Sequence, residues 1–307
     1  MKKFTLKIGT LALALMFVFP AFSQITLKYN LKKGEIFKQN MTTDMGITQK
    51  VMDHEMKINM TMNVKTTYEV KDVKNENYTL EVIYKDIKMN AVIPGMGNLS
   101  FNSDTPEDVA TQQDFGPMLK AVVDKPIEVV ITKTGKVESV KGFEKIGEAM
   151  LASIDKNIPD AAKQQLVTQF GSQFSEEQFK TFFAQNAAYY PDKPVNIGDS
   201  WDVKLSTAAS NFTIDINTKM TVKSIDGNLV TLDTKGTVST PEGYEMDVNG
   251  MKAKTSLKGT QEGTVKIDKK TGWAMSSDIA QIFGGDIEAM GMKIPINTVT
   301  KVTMSCD

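Results

Sequence analysis

The chain has 307 residues, carries 36 basic against 37 acidic side chains for a formal net charge of −1, and is 41% hydrophobic with a single cysteine. That balance leaves no basic surface for a polyanion, so nucleic acid is excluded as an expected partner. Every basic side chain is Lys, which removes the guanidinium fork usually chosen to clamp carboxylate or phosphate. One cysteine cannot form an internal disulfide, so the fold has to rest on its core.

The N-terminus reads as a cleaved export signal. Lys2 and Lys3 precede the apolar run Leu11-Ala12-Leu13-Ala14-Leu15-Met16-Phe17-Val18-Phe19, and small residues follow at Ala21 and Ser23. The run is short of the roughly 20 residues that span a bilayer, so a Sec-type signal peptide over residues 1–23 is predicted rather than a transmembrane anchor. The mature chain would begin near Gln24 in the periplasm or outside the cell. Losing Lys2, Lys3 and Lys7 takes the formal charge from −1 to −4.

From Gln24 to about residue 140 a first β-rich repeat with a short helix is predicted. A strand from about Phe37 to Ile47 turns at the polar Asp53-His54-Glu55. Met60, Met62, Val64, Thr66, Tyr68 and Val70 then alternate with polar residues, Lys71 to Asn77 supplies a turn, and Tyr78, Leu80, Val82 and Tyr84 alternate again. This period of two is that of an antiparallel hairpin with one wet face. Residues 94–116 read as loop, broken by Pro94-Gly95 and Asn102-Ser103-Asp104-Thr105-Pro106. A short helix is expected after Pro117, then a strand over Ile127 to Thr132, a turn at Lys133-Thr134-Gly135 and a strand from Val137.

Residues 141–190 change period. Phe143, Ile146, Met150, Leu151 and Ile154 fall at helical spacing, and Pro159 opens a second run through Leu166, Val167 and Phe170. Ser175-Glu176-Glu177-Gln178 has the form of a capping box, with Phe174 and Phe179 as its staple. Phe179, Phe182 and Phe183 give that helix an aromatic face that needs a sheet to lie on.

Residues 191–307 form a second β-rich repeat, and its landmarks echo the first in order. Ile197-Gly198-Asp199-Ser200-Trp201 repeats Lys33-Gly34-Glu35-Ile36-Phe37 as Gly-acid-x-aromatic. The strand Phe212, Ile214, Ile216, Thr218, Met220, Val222 turns at Asp226-Gly227-Asn228 and returns through Val230 and Leu232, as Tyr68 to Val82 does. Val265 to Trp273 echoes Val129 to Lys136. Gly34 to Gly198 is 164 positions, Val70 to Val222 is 152 and Thr134 to Thr271 is 137, a shrinking offset that loop deletions produce. The expectation is an α+β fold, mainly antiparallel β, of duplicated curved sheets or half-barrel-like repeats around a central helical segment, with the halves packed as one unit.

Chemistry is hard to find. In the Gly-acid-x-aromatic motif the glycine takes a backbone conformation closed to other residues, the acid ties the turn, and Phe37 or Trp201 anchors the strand, which is a structural task. Met52, His54, Met56, Met60 and Met62 have the ligand types for Cu(I), but alternating methionines on a half-buried strand pack as ordinary apolar residues, so no metal is assigned. The sole histidine, His54, lies in a polar turn away from any Ser or Cys motif, and no phosphate loop, zinc spacing or calcium loop occurs. The chain is therefore expected to be non-enzymatic, with no cofactor, no catalytic residue and no ligand-binding residue that sequence can name.

The signal segment, Leu31-Lys32-Lys33-Gly34-Glu35, Lys133-Thr134-Gly135-Lys136-Val137 and Pro194-Val195-Asn196-Ile197-Gly198-Asp199-Ser200-Trp201 together resemble a domain-of-unknown-function family of exported bacterial proteins. The resemblance implies location and class and brings no activity or site residue. The leading expectation is an exported protein that binds an apolar ligand or lipid in a concave, Met- and Phe-rich sheet, which asks for a cavity of about 300 Å³ or more. A second is a structural or assembly factor that uses sheet edges and the aromatic helix face to meet envelope proteins. A third is a hydrolase built on paired carboxylates.

Overall fold

The structure, a computed structural model, describes residues 24–307 apart from 52–53, 96, 105–119, 153–175, 187–188, 210–211, 249–250 and 290. The predicted leader, the helical run opening at Pro159 and the Ser175 cap lie outside the described residues. Among the described residues there are thirteen strands: β1 (Ile36–Val51), β2 (His54–Lys74), β3 (Asn77–Ile93), β4 (Gly97–Asn102), β5 (Pro126–Thr132), β6 (Val137–Lys141), β7 (Ser200–Ala209), β8 (Phe212–Asp226), β9 (Leu229–Ser239), β10 (Glu245–Val248), β11 (Met251–Asp268), β12 (Ala274–Ala289) and β13 (Met292–Cys306). The described residues between β6 and β7 include the helices α1 (Phe143–Ala152) and α2 (Glu176–Asn186).

All thirteen strands belong to one open, curved antiparallel sheet in the order β6-β5-β3-β2-β1-β13-β12-β11-β9-β8-β7, with β4 on β3 and β10 on β11. The two β-rich stretches thus share a single sheet, with the C-terminal β13 inserted between β1 and β12. One apolar cluster contains Val70 and Leu80 of the first stretch together with Val222, Leu232 and Ile267 of the second. Strands so far apart along the sheet meet in one core only because the sheet curls, and the core is its concave face. Phe143, Ile146 and Met150 of α1 and Phe183 of α2 enter the same cluster. The helix α2 packs against both edge strands, β6 and β7, so it stands at the gap between the two edges and covers the unpaired strand groups there.

The segment 24–33 laces the two ends of the sheet together. Ile25 and Val195 exchange backbone hydrogen bonds of 2.9 and 2.8 Å, Tyr29 N donates to Lys133 O at 2.8 Å, and Asn30 N donates to Thr271 O at 2.9 Å. It therefore touches the β5–β6 turn and the β11–β12 turn within two residues.

Several sequence expectations need correction. The β2–β3 turn is Asn75-Glu76, both with positive φ (51° and 60°), rather than the whole of Lys71 to Asn77; the polar residues on either side remain in the ladder, which a two-residue hairpin turn permits. Residues 97–102, read as loop, form β4, paired with β3 and anchored by buried Phe101. Leu99 and Phe101 do alternate with Asn98, Ser100 and Asn102, but two apolar positions between the breakers Pro94-Gly95 and Ser103-Asp104 are too short a signal. His54 is the exposed first residue of β2, and Met60 faces Met45 while Met62 lies between Thr43 and Met89 in the sheet, so Met60 and Met62 are ladder residues of one strand face; Met52 lies outside the described residues.

The same backbone devices occur in both halves. Gly34 and Gly198 have φ of 87° and 90°, and their N–H groups donate to Val70 O and Val222 O, each at 2.8 Å. Glu35 Oε2 accepts from Lys32 N at 2.8 Å, and Asp199 Oδ2 accepts from Asn196 N at 2.8 Å. The register shifts at Val70/Asp72 on β2 and at Val222/Ser224 on β8. It shifts again at Val130/Ile131 on β5 and at Lys266/Ile267 on β11. Lys71–Glu81 at 3.1 Å and Lys223–Asp233 at 3.0 Å then bridge the two hairpins.

Candidate ligand cavity

The concave face of the second half is not filled. A cavity of about 250 Å³ is lined by β7, β8, β9, β11, β12 and β13, with Gln39 and Met41 of β1 and the pair Tyr189–Tyr190. That is slightly under the roughly 300 Å³ from which drug-sized ligand sites start. The corresponding space in the first half, bounded by Tyr68, Leu80, Val82, Val129, Ile131, Phe183 and Trp273, retains only about 50 Å³.

Register explains the shape. Successive inward rows cross the sheet, because alternate residues of each strand point to one face. One row runs Val222–Leu232–Val265–Ser277–Met304 and is mostly apolar. The next runs Met220–Thr234–Gly263–Ile279–Val302, and the third runs Thr218–Gly236–Gln261–Gln281–Thr300. The glycines are imposed by the backbone. A Cβ at Gly236 would overlap the Asn217 carbonyl oxygen, and one at Gly263 the Asp278 carbonyl oxygen, so these are points where neighbouring strands approach too closely for a side chain.

Each glycine leaves a gap in its row, and polar groups use it. Across Gly236 the Gln261 amide reaches two strands to donate to Thr218 Oγ1. Gln281 Nε2 in turn donates to Gln261 Oε1 at 2.8 Å, so a hydrogen-bonded chain of three side chains crosses the concave face. Beside Gly263 stands Thr234, only 2% exposed. Its Oγ1 is the one buried side-chain polar atom without a hydrogen-bond partner among the described residues.

The lining carries no Lys, His, Asp or Glu. Burial pushes the Tyr189 hydroxyl up to about 12 and Tyr190 well above its ordinary value, so both phenols stay neutral at any physiological pH. Tyr190 donates its hydroxyl proton to the Gly272 carbonyl, and the Tyr189 carbonyl accepts from Trp201 Nε1 at 2.8 Å. The Trp201 of the opening motif thereby fixes one wall of the cavity. Cys306 also packs in the core, where burial raises its thiol.

Sequence reasoning missed Thr234, Gly236, Gln261, Gly263 and Gln281. The usable signal was the apolar alternation through Val230 and Leu232, which continues into Thr234 and Gly236. A larger trough of about 630 Å³ lies on the opposite, outer face near Asp44, Asn59, Asn90 and Lys301. Its polar side chains pair with each other, Thr61 with Asp44 at 2.7 Å and Ser100 with Asn90 at 2.7 Å. Among the described residues no group of three His, Cys, Asp or Glu side chains could hold a metal, and no helix is long and apolar enough to cross a membrane.

Solved structures with a similar course include lipovitellin, with a TM-score of 0.50 and 5% identity over 91% of this chain and 25% of that one. The chain therefore spans a quarter of lipovitellin, and at that identity the likeness is one of fold alone. The COG4313 outer membrane channel from Pseudomonas putida F1 (TM-score 0.26, 8% identity, 91% and 97% covered) and the translocator domain of autotransporter NalP from Neisseria meningitidis (0.34, 6%, 90% and 89%) are looser matches. No curated protein matches the sequence. A family model does match, over residues 75–274 of 307 and so over more than half of the chain, and the protein belongs to that family, the family of unknown function DUF6263.

Proposed function

We propose that this protein is an exported, non-enzymatic binding protein that holds a small apolar ligand on the concave face of its second half. The observation that carries the reading is the cavity of about 250 Å³ with an uncharged, largely apolar lining. Burying apolar surface there is favourable by about 25 cal/mol per Å², and a lining without carboxylate, imidazole or amine suits retention better than proton transfer. Export is inferred from the leader-like residues 1–23. Lipovitellin, whose solved structure concerns lipid–protein interactions, shares the fold type; this agrees with an apolar ligand and is support from fold alone.

The test is extraction of the purified chain for bound apolar compounds by mass spectrometry, with titration of the small neutral fluorophore naphthalene, whose ten carbons match a cavity of about 250 Å³. Ser277, which lines the cavity, is replaced by Phe to fill it. The fluorophore should bind wild type, and Ser277→Phe should weaken it by about tenfold or more, the scale of losing one to two buried groups, with the melting temperature held. No binding to wild type would sink the reading.

We also infer that the chain arose by internal duplication into two half-barrel-like repeats. The matched glycine turns, acid caps, register shifts and Lys–acid bridges support this. Related sequences in which the shift positions fail to keep step with Gly34 and Gly198 would argue against it. The assembly-factor reading retains one specific support, the exposed cross-strand pair Ile282 (56%) and Val299 (48%) on the outer face; crosslinking that finds only monomer would remove it. Of the aromatic helix face, Phe183 is buried and Phe179 stacks on Phe143 at 5.3 Å, so these two residues lend it no support.

A further inference from the structure

The two halves can be compared position by position, because Val70–Leu80–Val129 and Val222–Leu232–Val265 occupy corresponding rows beside corresponding register shifts. The next row of the first half is Tyr68–Val82–Ile127, and its counterpart in the second half is Met220–Thr234–Gly263. Val82 and Ile127 are each 0% exposed and close the core. In the second half a ring, a branched chain and a methyl are gone, and a hydroxyl has been added. Smaller side chains alone would account for an empty space, but they do not account for the hydroxyl. Val at position 234 would have the same shape and no buried polar atom to satisfy, and leaving such an atom unpaired costs about 1–3 kcal/mol.

We propose that the ligand is an uncharged amphiphile of the alcohol or carbonyl class, its polar group hydrogen-bonded to Thr234 Oγ1 beside Gly263 and its chain lying along Met220, Leu232, Ile279 and Met304. This rests on the cavity reading above and adds the chemistry of the ligand. Thr234 can both donate and accept, which suits a hydroxyl or a carbonyl. An anion would need a cation and a cation a carboxylate, and the lining has neither; a bare charge there would lose its hydration without a partner. The Gln281–Gln261–Thr218 chain one row away gives that end of the cavity its polar character. At about 30 Å³ per small non-hydrogen group, the share of liquid volume that a water takes, the cavity of about 250 Å³ holds a ligand of octanol size.

The experiment titrates the full chain calorimetrically with 1-octanol and with sodium octanoate at neutral pH, for wild type and Thr234→Val, alongside the fluorophore naphthalene, which has no polar group. Wild type should bind octanol at least about tenfold more tightly than octanoate, because the carboxylate must be desolvated. Thr234→Val should weaken octanol by roughly three- to tenfold, the worth of one neutral hydrogen bond, while the fluorophore binds as before. The variant should melt at or above the wild-type temperature, since an unpaired hydroxyl has been removed. Octanoate binding as well as octanol, an unchanged octanol affinity in the variant, or a lower melt for the variant would each overturn the assignment, and with fluorophore binding intact would leave the apolar cavity standing. If neither the fluorophore nor octanol binds wild type, the cavity reading falls as well.

Discussion

Gly198 and Gly34 show what one residue contributes here. Both sit near φ +90°, and a Cβ at either would meet nothing within 4 Å, so their requirement is backbone conformation and not space. A β-branched residue is strained at such a φ, and Gly198→Val should cost about 1–3 kcal/mol, with Gly34→Val costing the same, as read by denaturant melts. An unchanged midpoint would show that the turns tolerate a side chain. Asp199, which stands in the motif between glycine and hydroxyl, closes its own turn through Asn196 N and Asn196 Nδ2 at 2.8 and 3.2 Å, and takes no part in the cavity.

At the scale of elements, the strands are held in step by bulges and by what their polar residues find to bond. Asp86, buried beside the irregularity at Lys65/Thr66, is the clearest case. Burial by itself would raise its carboxyl. The Ser103 hydroxyl at 2.9 Å, Lys65 at 3.2 Å and Lys88 at 3.4 Å outweigh that and hold it below its ordinary value. A carboxyl depressed in the folded state gives stability that is fully present above its unfolded value of about 3.9 and is lost as pH falls through the folded value. Wild type should therefore exceed Asp86→Asn by about 1–3 kcal/mol at neutral pH, and the gap should close as pH falls below about 4. A gap that is the same at both pH values would show that the carboxylate's charge has no part in holding this junction.

At the scale of the molecule, the sheet is long and strongly curled, and its closure depends on pieces that are not strands. The N-terminal segment joins the β5–β6 and β11–β12 turns, and α2 touches both edge strands. Phe183 of α2 is buried in the shared core and borders the small space left in the first half. Phe183→Ala should cost about 3 kcal/mol, at the lower end for buried aromatic truncations, with a lower calorimetric melting temperature. A melt like that of wild type would mean that the helix does not hold the seam. The two halves thus use one concave surface differently, the first packed with aromatic side chains and the second left open around Thr234.

Strands β1 to β3, β5, β6, β8 and β9, the helical spacing in α1 and the structural role of the Gly-acid-x-aromatic motif were legible in the sequence. Each is a local property, set by period-two alternation, by glycine's access to positive φ or by a carboxylate closing its own turn. The strand β4 was not legible, because two alternating apolar residues, Leu99 and Phe101, make too short a period among the breakers around them. Nor was the cavity: Thr234 and Gln261 are separated by 27 positions in the sequence, and only register places them on adjacent strands facing the same space. That both halves share one sheet, that β13 joins them and that Gly236 and Gly263 open gaps beside polar side chains depends on strand pairing across the whole chain. Pairing is decided by the burial of all the strands together, which no single stretch of sequence contains.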